Sequence, residues 1–409
     1  MSVSTILGGF ANIQQLAFAK DEDWVDRLNH LYTVGLLALF ALFVTGGQYV
    51  GSPIECLKPD RFDGEMDYVK TYCWVKNTYY VSFDAATIPA EEHKRREQEL
   101  TYYQWVPQIL VFMAFMFKLP SVIWRLLNNG SGINMDKMVT MTMETQMGDA
   151  RCREETVEML AKYLDRWLEA HRYYRYTKLS RLRQRLNQVV CLFCSKQDGT
   201  YLISLYFFVK ILYLVNVIVQ FILINRFMGG WFSSVGYDVV ESFDRDRDFS
   251  ESRVFPRTTF CDFKVRQQGF NTIQFTTQCV LPINLFNEKI FVFLWYWAIL
   301  VLVCTSGNFL FWAWDFLFRR HHVSYVRKYL RMSVELRGEE ERRVLKEFTA
   351  KYLKDDGVFV LRIIARNTND ILLADIVTQL WQIYRDKRSK RRGSGVTSEV
   401  RGHDVRVDT

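Results

Sequence analysis

Histidine and proline are both scarce in this 409-residue chain, at 6 and 7 residues, and each shortage excludes something. So few prolines rule out a proline-rich disordered linker and leave an ordered, core-forming chain. The histidines lie scattered at His30, His93, His171, His321, His322 and His403, so no histidine box exists for a membrane di-iron centre. HExxH, GxSxG and P-loop patterns are also missing. The apolar segments hold no paired carboxylates, and no internal repeat with interrupted helices suggests a secondary transporter. Nothing argues for catalysis, a cofactor or a metal. What is left for such a chain is a channel subunit, a scaffold or an adhesion protein.

Apolar residues make up 49% of the chain and aromatics 15%, yet the mean hydropathy is only -0.08. The average hides the distribution, because apolar residues crowd into blocks between charge-dense segments. A helical membrane span needs about 20 mostly apolar residues. Four runs qualify. Leu31 to Val50 contains no charge and follows Asp21, Glu22, Asp23, Asp26 and Arg27, which is not the basic start of a signal peptide. Gln104 to Leu127 carries Pro107, Lys118 and Pro120, consistent with a kinked helix whose lysine snorkels to an interface. Tyr201 to Ile224 is interrupted by Lys210, Asn216 and Gln220, and Ile290 to Phe318 ends in Asp315, Arg319 and Arg320. Tyr102, Tyr103, Trp105, Trp295 and Trp297 supply interfacial aromatics that a soluble core would not require.

Four spans put both termini on one side. Residues 128 to 200 hold about 12 Lys and Arg and residues 319 to 409 about 21, against about 7 in each of 51 to 103 and 225 to 288. The positive-inside rule therefore predicts cytoplasmic termini and a cytoplasmic middle loop. Cysteine agrees: of 8, Cys56 and Cys73 fall in the first outer loop and Cys261 and Cys279 in the second, where disulfides persist. Cys191 and Cys194 form a lone CxxC in the basic loop, better read as reduced or palmitoylated thiols than as a zinc site, as is Cys152.

Residues 2 to 19 carry no formal charge, and Val3, Leu7, Phe10 and Ile13 approximate helical spacing. The stretch is too polar to span. It either lies on the membrane or folds into a channel mouth, and periodicity leaves both open. From Arg151 to Gln188 aromatics alternate with Arg and Lys, a pattern shared with nucleic-acid binders. Beside a membrane it reads as a cytoplasmic helix near anionic lipid, with no nucleic-acid partner. Helical segments from Glu339 to Tyr352 and Phe359 to Arg385 should pack on it, before a basic end read as disordered. Asn216 and Gln220, at i and i+4, are read as hydrogen-bonding glue between helices.

Several details resemble one family, the innexins, gap-junction proteins of invertebrate animals. Tyr102-Tyr103-Gln104-Trp105-Val106-Pro107 matches the innexin YYQWVP signature. Each outer loop has two cysteines, where connexins have three. Phe255-Pro256-Arg257, Cys261-Asp262-Phe263, Asn287-Glu288-Lys289 and Phe293-Leu294-Trp295-Tyr296-Trp297 look like further landmarks, and the likeness fades after about Arg385. Pannexins share the two-cysteine pattern but carry outward glycans. Here the only sequon, Asn129-Gly130-Ser131, falls on the cytoplasmic side, so the outer face should be bare.

The resemblance implies an all-α membrane protein: a four-transmembrane-helix bundle with a small disulfide-stapled extracellular domain and a helical cytoplasmic domain. In that plan residues 1–30 form a cytoplasmic pore helix or funnel, and spans occupy 31–50, 104–127, 201–224 and 289–318. Extracellular loops fill 51–103 and 225–288, a cytoplasmic helical loop 128–200, a cytoplasmic helical domain 319–385, and a disordered basic tail 386–409. Four cysteines permit three connectivities, including one bridge within each loop; the family's antiparallel loops imply Cys56 to Cys279 and Cys73 to Cys261. Ser2, Thr5 and Asn12 are expected to line the pore, whose lack of charge predicts modest selectivity by sign. The implied partners are copies of itself in an octameric ring, other innexins, membrane lipids and an opposing hemichannel. Docking would engage residues near the cysteine frame such as Phe62, Asp63, Tyr68 and Lys70. A non-junctional hemichannel and a tetraspan adhesion or scaffold protein are the competing classes.

Overall fold

The computed structural model describes residues 22–59, 64–82, 88–145, 149–172, 199–244, 254–266, 272–317, 320–334 and 338–403. Along the chain come α1 (Trp24–Tyr49), β1 (Glu55–Cys56), α2 (Met66–Lys76), β2 (Thr78–Tyr79), α3 (Glu92–Arg96) and β3 (Glu99–Leu100). Next are α4 (Val106–Asn128), α5 (Met135–Thr145), α6 (Ala150–Arg172), α7 (Tyr201–Phe227) and α8 (Val235–Asp244). The remainder is β4 (Thr258–Arg266), β5 (Thr272–Val280), α9 (Pro282–Leu317), α10 (Arg320–Ser333), α11 (Glu339–Glu347), α12 (Lys354–Asn367) and α13 (Asp370–His403).

The helices α1, α4, α7 and α9 are long and apolar enough to cross a membrane. Only 39%, 44%, 39% and 33% of their apolar windows are buried inside the chain, so lipid or neighbouring subunits must cover the rest. Their bounds differ from the sequence reading in instructive ways. The first begins at Trp24 rather than residue 31, because Asp23 and Asp26 find buried partners. The fourth begins at Pro282 rather than 289, since proline is compatible with a first helical turn. At the other end α13 stays helical to His403, where a disordered tail was expected from 386. Ser2, Thr5, Asn12, Cys191 and Cys194 lie outside the described residues.

The chain forms two compact units. One comprises Leu28–Leu119 and Tyr213–Ser306. Its apolar core includes Leu37, Val44, Leu110, Met113, Val217, Phe291 and Leu294, contributed by all four long helices. Polar pairs stitch the same unit: Asn29 donates to Thr305 at 3.0 Å and Trp297 to Thr33 at 3.0 Å. Thr33 in turn donates to the Leu28 carbonyl, where α1 widens into a π turn over Leu28–Thr33. Lys118 Nζ lies 3.3 Å from His30 Nδ1. Asn216 and Gln220 are buried, but among the described residues neither amide has a hydrogen-bond partner, so the expected glue is not seen within the chain.

The same unit carries a five-stranded antiparallel sheet, ordered β1-β5-β4-β2-β3, that the helical reading did not foresee. Its centre is the β4–β5 hairpin. The signal was present, because Thr259, Cys261, Phe263 and Val265 alternate with Phe260, Asp262, Lys264 and Arg266, the period of a half-buried strand. Thr259, Cys261 and Phe263 are buried. The hairpin is long, and the segments that flank it are two residues each, too short to read from sequence.

The other unit comprises Met1–Arg27, Pro120–Leu212 and Gly307–Thr409. As expected, the tail packs on the middle-loop helix. Tyr352 donates to Asp165 at 2.5 Å, Lys387 bridges Asp165 and Glu169 at 2.6 Å each, and Arg153 meets Asp375 at 2.6 Å. Between them Phe348, Phe359, Ile363, Leu373, Leu380 and Trp381 are buried.

Candidate functional site

Two constellations of chemistry-bearing residues stand out, one in each unit. The first is the stapled sheet. β1, from the loop between the first two spans, pairs with β5, from the loop between the last two, so that Cys56 stands directly opposite Cys279. They form a disulfide with Cα atoms 4.0 Å apart. The helix α2 lies against β4 and brings Cys73 to Cys261, Cα atoms 5.8 Å apart, for the second bridge. Both bridges thus join one loop to the other. The sulfurs of Cys56, Cys73 and Cys279 cluster within 4.8 Å, but oxidised sulfur is no metal ligand.

Around the bridges the two loops share further contacts. Asp262 on β4 accepts from Arg95 at 2.7 Å, from Tyr79 at 3.1 Å and from Thr276 at 2.7 Å. Burial beside that carboxylate pushes the Tyr79 phenol up to about 12. Lys70 pairs with Glu55 at 2.6 Å, and Tyr68 is exposed beside Tyr72. Phe62 and Asp63 lie outside the described residues.

The stretch Tyr102 to Pro107 joins this sheet to the helices. Gln48 of α1 donates to the Tyr103 carbonyl at 2.8 Å. Gln104 donates to the Trp74 carbonyl on α2 and to Asn77 at 3.2 Å. The fully buried Tyr103 ring sits 4.9 Å from Trp74, and Tyr102 lies edge-on to Phe255 at 5.4 Å. Val106 and Pro107 are buried at the start of α4, whereas Trp105 is 59% exposed. Spelling alone marked these residues. The structure gives the hexapeptide its physical task, which is to lock α2, α1 and α4 together.

The second constellation is a buried charge cluster in the other unit. Lys210, on α7, donates to Asp23 at 3.1 Å and to Asp26 at 2.7 and 2.8 Å. Trp312 of α9 donates to Asp23 at 2.7 Å, Tyr206 to Asp26 at 3.0 Å, and Arg366 of α12 forms an ion pair with Asp23. Ser121 of α4 donates to the neighbouring Glu22 at 2.9 Å. Lys210, Asp23 and Asp26 are each 2–4% exposed at the side chain, so the charges are paid for by one another. Residues just after the uncharged amino-terminal stretch are thereby held by α4, α7, α9 and α12. In sequence Lys210 was only an interruption in an apolar run; its partners lie too far along the chain for spacing to reveal.

Comparison with known proteins finds relatives along most of the chain. The sequence profile described as Innexin matches residues 22–384. The chain is 34% identical over 388 residues to Innexin unc-9 of Caenorhabditis elegans, covering 94% of this chain and 98% of that protein. It is similar to Innexin-11 of the same nematode, at 31% over 412 residues, covering 97% and 86%. Innexin-3, also of C. elegans, is 33% identical over 372 residues, covering 91% and 86%.

Proposed function

The chain belongs to the innexin family, and from that premise we propose that eight copies close into a ring around a conducting axis and that two such rings dock end to end between cells. It is a gap-junction channel subunit, a multi-pass membrane protein that works as part of an oligomer. The observation that carries this reading is the family match across residues 22–384, which contains all four spans and both bridges.

A single subunit offers no aqueous path, and cyclic symmetry closes a ring without free edges. The part-covered faces of the four spans supply surface for neighbours and lipid. The excess of Lys and Arg in 128 to 200 and after 319 favours cytoplasmic termini, which puts the stapled sheet outside. Sheet and bridges then make a rigid rim, bare of sequons, suited to meet an opposing rim. Residues 2 to 19 line the narrowest cytoplasmic part of the pore, with Ser2, Thr5 and Asn12 nearest the water. The buried cluster of Asp23, Asp26 and Lys210 gives that stretch a fixed base.

Dual voltage clamp on paired cells expressing this chain alone tests the reading. Junctional current is expected, with modest discrimination between small anions and cations. Large single-cell current without junctional current, also when the facing cell expresses a second innexin, would establish an unpaired channel instead. Thiol reagents applied from the cytoplasm should block a Thr5→Cys channel; an insensitive current would place the stretch on the membrane surface.

A further inference from the structure

The chain that leaves α7 doubles back on the bundle. Gly229 and Gly230 hold φ of 61° and 93°, left-handed values that end the helix, and the Gly230 N–H donates to the Asn225 carbonyl at 2.7 Å. Asn225 Oδ1 in turn accepts from the Ser233 N–H at 2.9 Å. The chain so turned brings the buried Phe232 ring to 5.3 Å from Phe221, more than a helical turn back from the end of α7 at Phe227. From there α8 begins.

α8 rests on α9 through a residue with no side chain. Trp295 ring atoms stand 2.2 to 2.5 Å from where a Cβ on Gly236 would be, Tyr296 donates to the Gly236 carbonyl at 3.1 Å, and the Tyr237 ring meets Trp295 edge-on at 5.6 Å. These contacts fix the depth of α8 along the span. With 36 residues α9 is about 54 Å long at about 1.5 Å per residue, well beyond a hydrocarbon core of about 30 Å. Counted back about 20 residues from Asp315, where charge begins, that core ends near Trp295, Tyr296 and Trp297. Trp and Tyr are the side chains that favour such a boundary.

At that depth α8 leaves Tyr237 and Val240, three residues apart and so on one face, 71% and 60% exposed. Tyr296, whose hydroxyl reaches α8, belongs to an exposed stripe of Phe293, Tyr296, Leu300 and Val303 on the membrane-crossing α9. The face of α8 thus adjoins a surface that lies within the bilayer. We infer that α8 lies at the bilayer surface on the side of the stapled sheet, with Tyr237 and Val240 set among the headgroups and first acyl carbons. Its charges choose the lipid: α8 carries Asp238, Glu241 and Asp244 and no Lys or Arg, which suits zwitterionic phosphatidylcholine and gives anionic lipid no attraction. The inference rests on the four membrane-crossing helices and not on junction formation.

The test uses the full chain in phosphatidylcholine nanodiscs, with the photo-cross-linker p-benzoylphenylalanine in place of Tyr237, of Val240 or, as a control on α2, of Tyr68. All three side chains are exposed, so the replacements should not perturb folding. After illumination, intact mass spectrometry should show a shift of one phosphatidylcholine for position 237, 240 or both, and none for position 68. Lipid adducts at neither α8 position would overturn the inference, and so would adducts at position 68 in equal yield. Cross-linked dimers outnumbering lipid adducts at 237 and 240 on a denaturing gel would overturn it too, assigning the face to a neighbouring subunit.

Discussion

Lys210 donates to both carboxylate oxygens of Asp26, 184 residues away in the chain, at 2.7 and 2.8 Å. Its removal would leave Asp23 and Asp26 facing each other with less compensation in a buried site. Lys210→Met should therefore destabilise the protein by about 3–5 kcal/mol. Pairing it with Asp26→Asn should recover part of that loss, since one uncompensated charge disappears. Thermal melts of detergent-solubilised protein followed by size exclusion check both. A single variant as stable as wild type would show the cluster to be energetically idle.

The bridges predict a pattern of non-additivity. Cys56→Ser and Cys279→Ser each break the same bond and should cost about 2–5 kcal/mol of ectodomain stability, with loss of junctional current even where protein reaches the surface. The Cys56→Ser/Cys279→Ser double variant should be no worse than either single one. Combining Cys56→Ser with Cys261→Ser breaks both bridges and should be markedly worse. Peptide mapping that joined Cys56 to Cys73 would refute the cross-loop connection.

Asp356 makes one part of the molecule sensitive to pH. Its carboxylate accepts from the backbone N–H groups of Tyr201 at 2.9 Å and Ile203 at 3.1 Å, capping the start of α7. Burial nevertheless outweighs those bonds and pushes the carboxyl up to about 7 from 3.8. The folded protein thus holds this proton where the unfolded chain releases it. Its stabilising contribution is complete below 3.8 and is lost as pH rises through about 7. The midpoint of unfolding should fall between about pH 4 and 7 and level off above that, and Asp356→Asn should flatten that fall. Parallel curves for the two proteins would rule the group out.

Within the hexapeptide, Gln104 and Trp105 should behave oppositely. Gln104→Leu strips the Trp74 carbonyl and Asn77 of a donor and should cost about 1–3 kcal/mol of subunit stability. Trp105→Ala removes an exposed ring and should leave subunit stability nearly unchanged. A loss confined to ring assembly in the second variant would assign Trp105 to a surface covered by lipid or a neighbour. Melting curves and native gels separate the two effects.

The four spans were determined by sequence alone, because a run such as Leu31 to Val50 has no other way to satisfy its backbone away from water than as a helix. So was the even division of cysteines between two loops. Sequence could not decide where Lys210 finds its counter-ions, since Asp23 and Asp26 lie 187 and 184 residues away and buried pairing leaves no periodic trace. Nor could it divide Gln104 from Trp105, one bonded inward and one exposed, although both belong to the same motif. The sheet shows the boundary most clearly. β4 and β5 announce themselves by alternation, but β1, β2 and β3 are pairs of residues, β1 and β2 extended along the two edges that the hairpin offers and β3 along β2. That edge, supplied by distant residues, is what set Cys56 opposite Cys279.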